Sequence, residues 1–567
     1  MADEPGEGAE DSSRSQHRTG QRPGSSLSET LGRAIKRLSF RTPVHKLRLR
    51  GRYPLQLLDV PADPIPGSVR AGRALLDGKM IAAGEVIPFD ALDRGGFSPA
   101  FTEYWQSFAW LRDLAASVER RGAAPVAEKL MRLWLGGHAR NVTEPAWRPD
   151  LWGRRILFWT AYAPFILDTR DGDYRKEVLN ALARGARHLD SAADTAPQGL
   201  PRVTAWAGVI AAGLLFPGGD PRTAHGEAGM TRALALAVHA DGGLISRSPV
   251  EQLALVELLA QLRGVYEVRA RPLAGAVATA LAQAIPVLAS STLGDGALSS
   301  WQGGGPANAA RVAAALAAVN FRGGVRDDAR DWGYQKLACG ETQLIMDAAP
   351  PPAAALSRGA CASTLAFELS DEGQRLVVNC GGGAGLAPEL ARGLRTTAAH
   401  STLVLAETNS TAIHPDGSMG RGVTEVSLIR VETPEARRIE AAHDGYVKRF
   451  GFSHRRRLSL AADGRSLEGE DRLHPEGRKK PVATPLALWF HIAPGIETVL
   501  TTDGQGALLR PDEGTGWQFR TRVGALALED SVWIDGAGRP RACKALVVTL
   551  ETPENGVTIP WSFRRVR

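Results

Sequence analysis

TLAFELSDEGQRLVVNCG (Thr364–Gly381) is two short runs rich in β-branched and aromatic residues, parted by a Ser-Asp-Glu-Gly turn signal. It reads as two strands, Thr364–Leu369 and Arg375–Cys380. Runs of the same kind recur: Ser401–Leu405, Ser427–Val431, Leu486–Ile492 and Lys544–Leu550. Arg455–Leu473 reads as a hairpin turning at Asp463-Gly464. Short strands at this spacing, with turn signals between them, imply an antiparallel sandwich over the last 230 or so residues.

Upstream the period changes. Phe101, Tyr104, Trp105, Phe108, Leu111 and Ala115 fall on one face of an amphipathic helix. Further helical segments follow at 123–136, 151–167, 173–190, 202–216, 221–239, 249–269, 272–290 and 306–319, separated by Gly and Pro signals. No motif repeats at a fixed period, which argues against a common repeat solenoid. The division is a tail (1–45), a helical domain (46–335) and a β domain (336–567), with the natural binding site in a cleft between the two folded parts.

The tail is expected to be disordered through about residue 25. A short amphipathic helix with a capping box at Ser26-Leu27-Ser28-Glu29 follows it. Leu47–Asp59 reads as a strand. Residues 33–52 hold eight Arg or Lys and no acid, which takes up the whole net charge of +7. The body therefore lacks a global positive field, and nucleic acid is excluded as a partner on bulk charge. The basic stretch 26–52 is a candidate for peripheral membrane contact, although packing on the body is the commoner fate of such a helix. There is no secretory signal, and the longest apolar run, Val203–Phe216, suits a buried helix rather than a bilayer span. Cys339, Cys361, Cys380 and Cys543 form no CxxC pair and are expected as free thiols.

The residues suited to chemistry gather in AAHSTLVL (Ala398–Leu405) and HDGYVKRFGFSHRRRLSL (His443–Leu460), which bring imidazoles, a phenol and a cluster of cations close in sequence. Such groups suit an anionic substrate. Arg455, Arg456 and Arg457 lie on one strand, so at most two face the same way.

Six phrases in order resemble the heparinase II/III-like family of polysaccharide lyases. They are DGGLISRSP (Asp241–Pro249), LGDGALSSWQGGG (Leu293–Gly305), Thr364–Gly381, AAHSTLVL, His443–Leu460 and LALWFHIAPG (Leu486–Gly495). The resemblance implies an α+β multidomain chain, an incomplete (α/α) toroid followed by an antiparallel β-sandwich, that cleaves a uronate-containing glycan by β-elimination. Such chemistry needs a donor to neutralise the uronate carboxylate, a base for the carbon-bound proton and an acid for the leaving oxygen. Carried over residue by residue, it makes His400 the sandwich histidine and Tyr266, or else Tyr446, the catalytic tyrosine. Arg247, His443, Arg449, Arg455 and Arg457 become substrate contacts.

Two departures count against activity: Leu244 and Cys361 stand where relatives usually carry histidine. An anionic-glycan-binding or cell-envelope protein of the same fold, impaired in catalysis, is the alternative. Hydrolysis lacks a convincing carboxylate pair, Asp241 and Glu251 being the nearest candidates. No cofactor is expected. The two His and one Asp that hold zinc in some relatives do not show at convincing spacing, and a structural zinc is left open. The resemblance also implies the envelope or periplasm, with the cytoplasm as the alternative, and a homodimer is left open.

Overall fold

The computed structural model of the chain describes residues 11–18, 40, 42, 45, 49, 56–353, 356 and 359–566. The helix expected from residue 26 lies outside the described residues. Within 26–52 only Phe40, Thr42, His45 and Leu49 are described, and three of these four are buried. His45 and His188 meet through ring nitrogens 3.1 Å apart.

The first half is helical, as the 3.6-residue period requires. Helices run over Arg120–His138, Pro149–Ala161, Gly172–Ala192, Leu200–Leu215, Asp220–Ala237, Pro249–Val268, Gly275–Ser290 and Ala309–Ala318. Several start with proline in the first turn, where the missing N–H costs nothing. The apolar run Val203–Phe216 falls in a helix buried along almost its whole length. There Gly208 faces Gly153, and a Cβ on Gly208 would sit 2.5 Å from the Gly153 Cα, so these two helices pack backbone against backbone.

Three local expectations give way. The stripe Phe101–Ala115 is two helices, Pro99–Ser107 and Trp110–Ser117, broken at Phe108 with φ +66°. That break sends the Phe108 ring among Trp110, Trp134 and Trp159, so packing decides against one continuous helix. Residues 56–60 form no strand; Leu58 N instead donates to the Leu215 carbonyl at a helix end. Within the tail expected to be disordered, Asp11–Arg18 form a strand antiparallel to Glu425–Glu432. An edge ladder needs only main-chain groups, which composition does not reveal.

The second half is two antiparallel sheets facing one another. One runs in the order Asp11–Arg18, Glu425–Glu432, Ala436–His443, Phe452–Ala461, Ser466–Pro475, Val557–Arg565, Trp517–Thr521, Gly506–Pro511 and Ile496–Leu500. The other contains Ala525–Ile534, Pro540–Thr552, Thr484–Ile492, Gln374–Val378, Phe367–Asp371, Thr342–Asp347 and Tyr334–Cys339, with Leu403–Leu405 paired to Thr484–Ile492. Leu344, Met346, Phe367 and Phe490 of the second sheet meet Leu458, Ile559, Trp561 and Phe563 of the first in the sandwich core. The opposite face of the second sheet meets the helical half. There Tyr334 and Ile345 join Trp332, Trp301, Leu293 and Val287 in a separate apolar cluster. The helical half has its own core, rich in tryptophan.

Candidate functional site at the domain junction

His400 ends a single 3-10 turn, Thr397–Ala399, just before the strand Leu403–Leu405. Its Nδ1 lies 2.7 Å from the Thr396 carbonyl and donates to it, which leaves the lone pair on Nε2. Burial pushes its pKa down to about 4, so the ring is neutral near pH 7. The next residue is clamped: Ser401 N donates to Asn379 Oδ1 at 2.9 Å, and Ser401 Oγ donates to the Val378 carbonyl at 2.7 Å. Thr402 Oγ1 is buried and has no hydrogen-bond partner among the described residues. His491 lies close enough to His400 for their charges to interact; its Nε2 donates to the Ala398 carbonyl at 2.9 Å and its Nδ1 meets Ser531 Oγ at 2.8 Å.

Arg247 does reach this neighbourhood, but fully engaged. Its Nε donates to the Trp332 carbonyl (2.7 Å), Nη1 to the Ala349 and Pro350 carbonyls (3.3 and 2.6 Å), and Nη2 to Asp347 Oδ1 (2.5 Å). The Asp347 carboxylate in turn accepts from Ser363 Oγ at 2.7 Å and helps keep the His400 ring protonatable, the lesser of the influences on it after burial and the Thr396 bond. Tyr334 donates to the Arg247 carbonyl at 2.6 Å. Arg247 thus ties the helical half to the sandwich, and its residue-by-residue assignment as a carboxylate clamp meets a guanidinium with no free edge.

The remaining candidates fall elsewhere. Tyr266 is near the C-terminal end of the helix Pro249–Val268, and 17 residues of helix put it about 25 Å from Pro249. Its hydroxyl donates to Glu227 Oε1 at 2.7 Å. Tyr446 is buried, donating to the Leu403 carbonyl at 3.0 Å, and burial raises its pKa. His443 is buried too, its Nδ1 accepting from Gly445 N at 3.0 Å. Arg455 and Arg457 face solvent and pair with Glu440 (3.2 Å) and Glu470 (3.0 Å). These positions follow from strand alternation: the inward side chains of Phe452–Ala461 enter the sandwich core and the outward ones leave the cleft altogether. We expect Tyr266→Phe to cost about 1 kcal/mol, one hydrogen bond's worth, in a denaturation series. A larger loss confined to ligand binding would place that phenol in the site after all.

Leu244 is fully buried, its N–H donating to Gln252 Oε1. Cys361 is buried and its thiol is pushed up to about 11, too high for a reactive thiolate. Both oxygens of Asp241 serve main-chain N–H groups, of Gly243 (3.0 Å) and Trp332 (2.8 Å), so it does not face Glu251 across a bond. Glu251 interacts instead with Glu103 and Arg154, and burial raises its pKa.

Sequence reasoning missed Asp347, Ser363 and Tyr334, which carry no motif; Arg449, expected as a substrate contact, lies with its neighbour Lys448 on a surface shared with Arg478, Lys479 and Lys480, three residues that sequence reasoning did not single out. All five are exposed, and none makes an ion pair among the described residues. Pairing of Phe452 with Pro475 sets their two segments side by side, and Lys479 Nζ donates to the Arg449 carbonyl.

A two-His, one-Asp group does exist, in His443, His454 and Asp471, but it does not fit a zinc ion. His443 Nε2 lies 3.3 Å from His454 Nδ1, so the rings hydrogen-bond each other. Asp471 already accepts from His454 (2.7 Å), twice from Arg456 (2.8 and 3.0 Å) and from Trp561 Nε1 (2.8 Å). The guanidinium supplies the positive charge an ion would bring. Among the described residues no group of three or more His, Cys, Asp or Glu could hold a metal ion, and no helix is long and apolar enough to cross a membrane.

Residues 322–562 match the family model of the heparinase II/III-like C-terminal domain. The structure is similar to heparinase III, with a TM-score of 0.69 at 13% identity over 97% of this chain and 92% of that one. It is similar as well to a mutant of the heparan sulfate lyase HepC from Pedobacter heparinus, with a TM-score of 0.61 at 14% identity over the same shares. In sequence it is 28% identical over 565 residues, 94% of each chain, to FtsZ-localized protein C of Caulobacter vibrioides (strain NA1000 / CB15N).

Proposed function

Because residues 322–562 are a heparinase II/III-like C-terminal domain and the chain as a whole has the heparinase III fold, we propose a protein that keeps the lyase framework and works by binding rather than by elimination. The ligand is anionic, and the place of action is the division site marked by FtsZ. The observation that carries this reading is the state of the junction. Elimination needs a free donor for the carboxylate, a base and an acid. Here the one candidate cation in the junction, Arg247, is saturated, and both candidate tyrosines donate to partners outside the cleft or in the core. The surface of Lys448, Arg449, Arg478, Lys479 and Lys480 supports an anionic ligand, heparin-like or another acidic glycan. The name of the whole-length relative supports the address.

A lyase acting on a uronate glycan is the second reading, favoured by the lone pair on His400 Nε2. One experiment separates the two. The purified chain is mixed with heparin, heparan sulfate, alginate and bacterial uronate polymers, and both binding and the ultraviolet absorbance of unsaturated uronate are followed. The binding reading expects saturable, salt-weakened binding and no product, with affinity falling at least tenfold when Arg449, Lys479 and Lys480 are changed to Glu. Product formation abolished by His400→Ala would establish the lyase instead. A fluorescent fusion is expected to gather at the FtsZ ring; a diffuse or evenly peripheral signal would remove the division-site part.

A further inference from the structure

Arg456 is fully buried although Arg455 and Arg457 beside it face solvent. Its Nε and Nη2 hold Asp471 bidentately, and its Nη1 donates to two carbonyls, those of Leu365 and Ser401, each at 2.7 Å. Asp471 is fixed from its other side by Trp561 Nε1 and by His454, which is itself braced by His443. Apolar residues of similar volume commonly replace a buried ion pair without loss of stability, so stability alone is a poor reason for this one. What apolar residues cannot do is grip two separate chain segments.

The two segments are those of the junction. Ser401 follows His400, and its N–H and hydroxyl are already taken by Asn379 and Val378, which leaves its carbonyl for Arg456. Leu365, held at φ +66°, follows Ser363 and Thr364, which donate to Asp347 and to the Ala349 carbonyl. One guanidinium therefore fixes the spacing between the segment that carries His400 and the loop that supports Asp347. We propose that Arg456, anchored by Asp471, is a positioning residue that holds His400 in its single Nδ1–H tautomer facing the junction. This rests on reading His400 as the acceptor of the site, and its test needs no ligand, so a failed glycan experiment leaves it standing or falling on its own.

The test uses the full chain labelled with 15N-histidine, with the His400 imidazole signals assigned by their loss in His400→Gln. In the unaltered protein a single tautomer titrating at about 4 is expected. In Arg456→Met/Asp471→Leu, where no charge is left unpaired, a cooperative melt is expected together with mixed His400 tautomers and a titration moved up toward the ordinary 6.5. Trp561→Phe removes one donor from Asp471 but leaves the guanidinium grip, and should leave His400 unchanged. An unmoved His400 in the folded double variant overturns the proposal, and so does an equal shift in Trp561→Phe. Should the double variant not fold, Arg456→Lys decides: its one ammonium cannot span Asp471 and both carbonyls, so an unmoved His400 there also overturns it.

Discussion

Arg247→Ala is expected to destabilise the protein by about 3–5 kcal/mol, the range for breaking a buried ion pair from one side. The substitution strands Asp347, which is fully buried, and strips the Trp332, Ala349 and Pro350 carbonyls of their donor. Arg247→Met with Asp347→Leu should cost much less than the single change, because no charge is then left alone. Urea denaturation of the two variants makes the comparison. A single variant within about 1 kcal/mol of the original would mean that the guanidinium does not hold the junction together.

Acid should unfold the protein earlier than its ordinary carboxylates would. His188, His400, His443, His454 and His491 are all buried, and burial lowers the pKa of each: to about 3 for His188, to about 4 for His400 and His491, and in the same direction for the other two. In the unfolded chain each titrates near 6.5. Between that value and the folded one the unfolded state binds more protons, so stability is complete above about pH 6.5 and falls with pH toward 4. A drop of this size is worth about 3 kcal/mol for a single histidine, so a few together exceed the stability of an ordinary domain. Asp471, pulled down to about 2 with the Arg456 guanidinium as the main favourable influence, loses its share only below the carboxylate range. Glu368 and Asp113, raised by burial, work in the opposite direction, from the ordinary carboxylate range upward, and so offset part of the histidine loss. Chemical denaturation at steps from pH 7.5 to 4.5 should show most of the stability gone before pH 4.5. A flat profile down to pH 5 would show that these rings are not held neutral.

The fold was legible because periodicity reports burial directly. The helices after residue 120, the hairpin turning at Asp463-Gly464 and the strand around Leu486–Ile492 come from patterns that packing then respected. Phe108 shows the limit: a continuous stripe cannot announce that one ring will turn off the helix to reach three tryptophans. The site was less legible. Residue types flagged His443, Tyr446 and the arginines as chemistry, whereas strand alternation and burial gave two of them to the core and two to surface ion pairs. The partners that define His400 and Arg247, namely Thr396, Asp347 and Ser363, contribute a carbonyl, a strand-end carboxylate and a loop hydroxyl. None of these has a spacing signature, because each meets its partner only through tertiary contact.

The apolar cluster of Trp301, Trp332, Tyr334, Ile345, Leu293 and Val287 has a mechanical consequence. It packs the helical loops onto the outer face of the sheet, right beside the Arg247 tether, so swinging the two walls apart like a clamshell would cost both the cluster and the tether. Hinge closure trades flexibility for water exclusion and extra contacts; a chain built this way gives up that trade. Any ligand of the junction would then have to enter by side-chain and loop movement. Its association rate should then follow charge and ionic strength rather than a slow conformational gate.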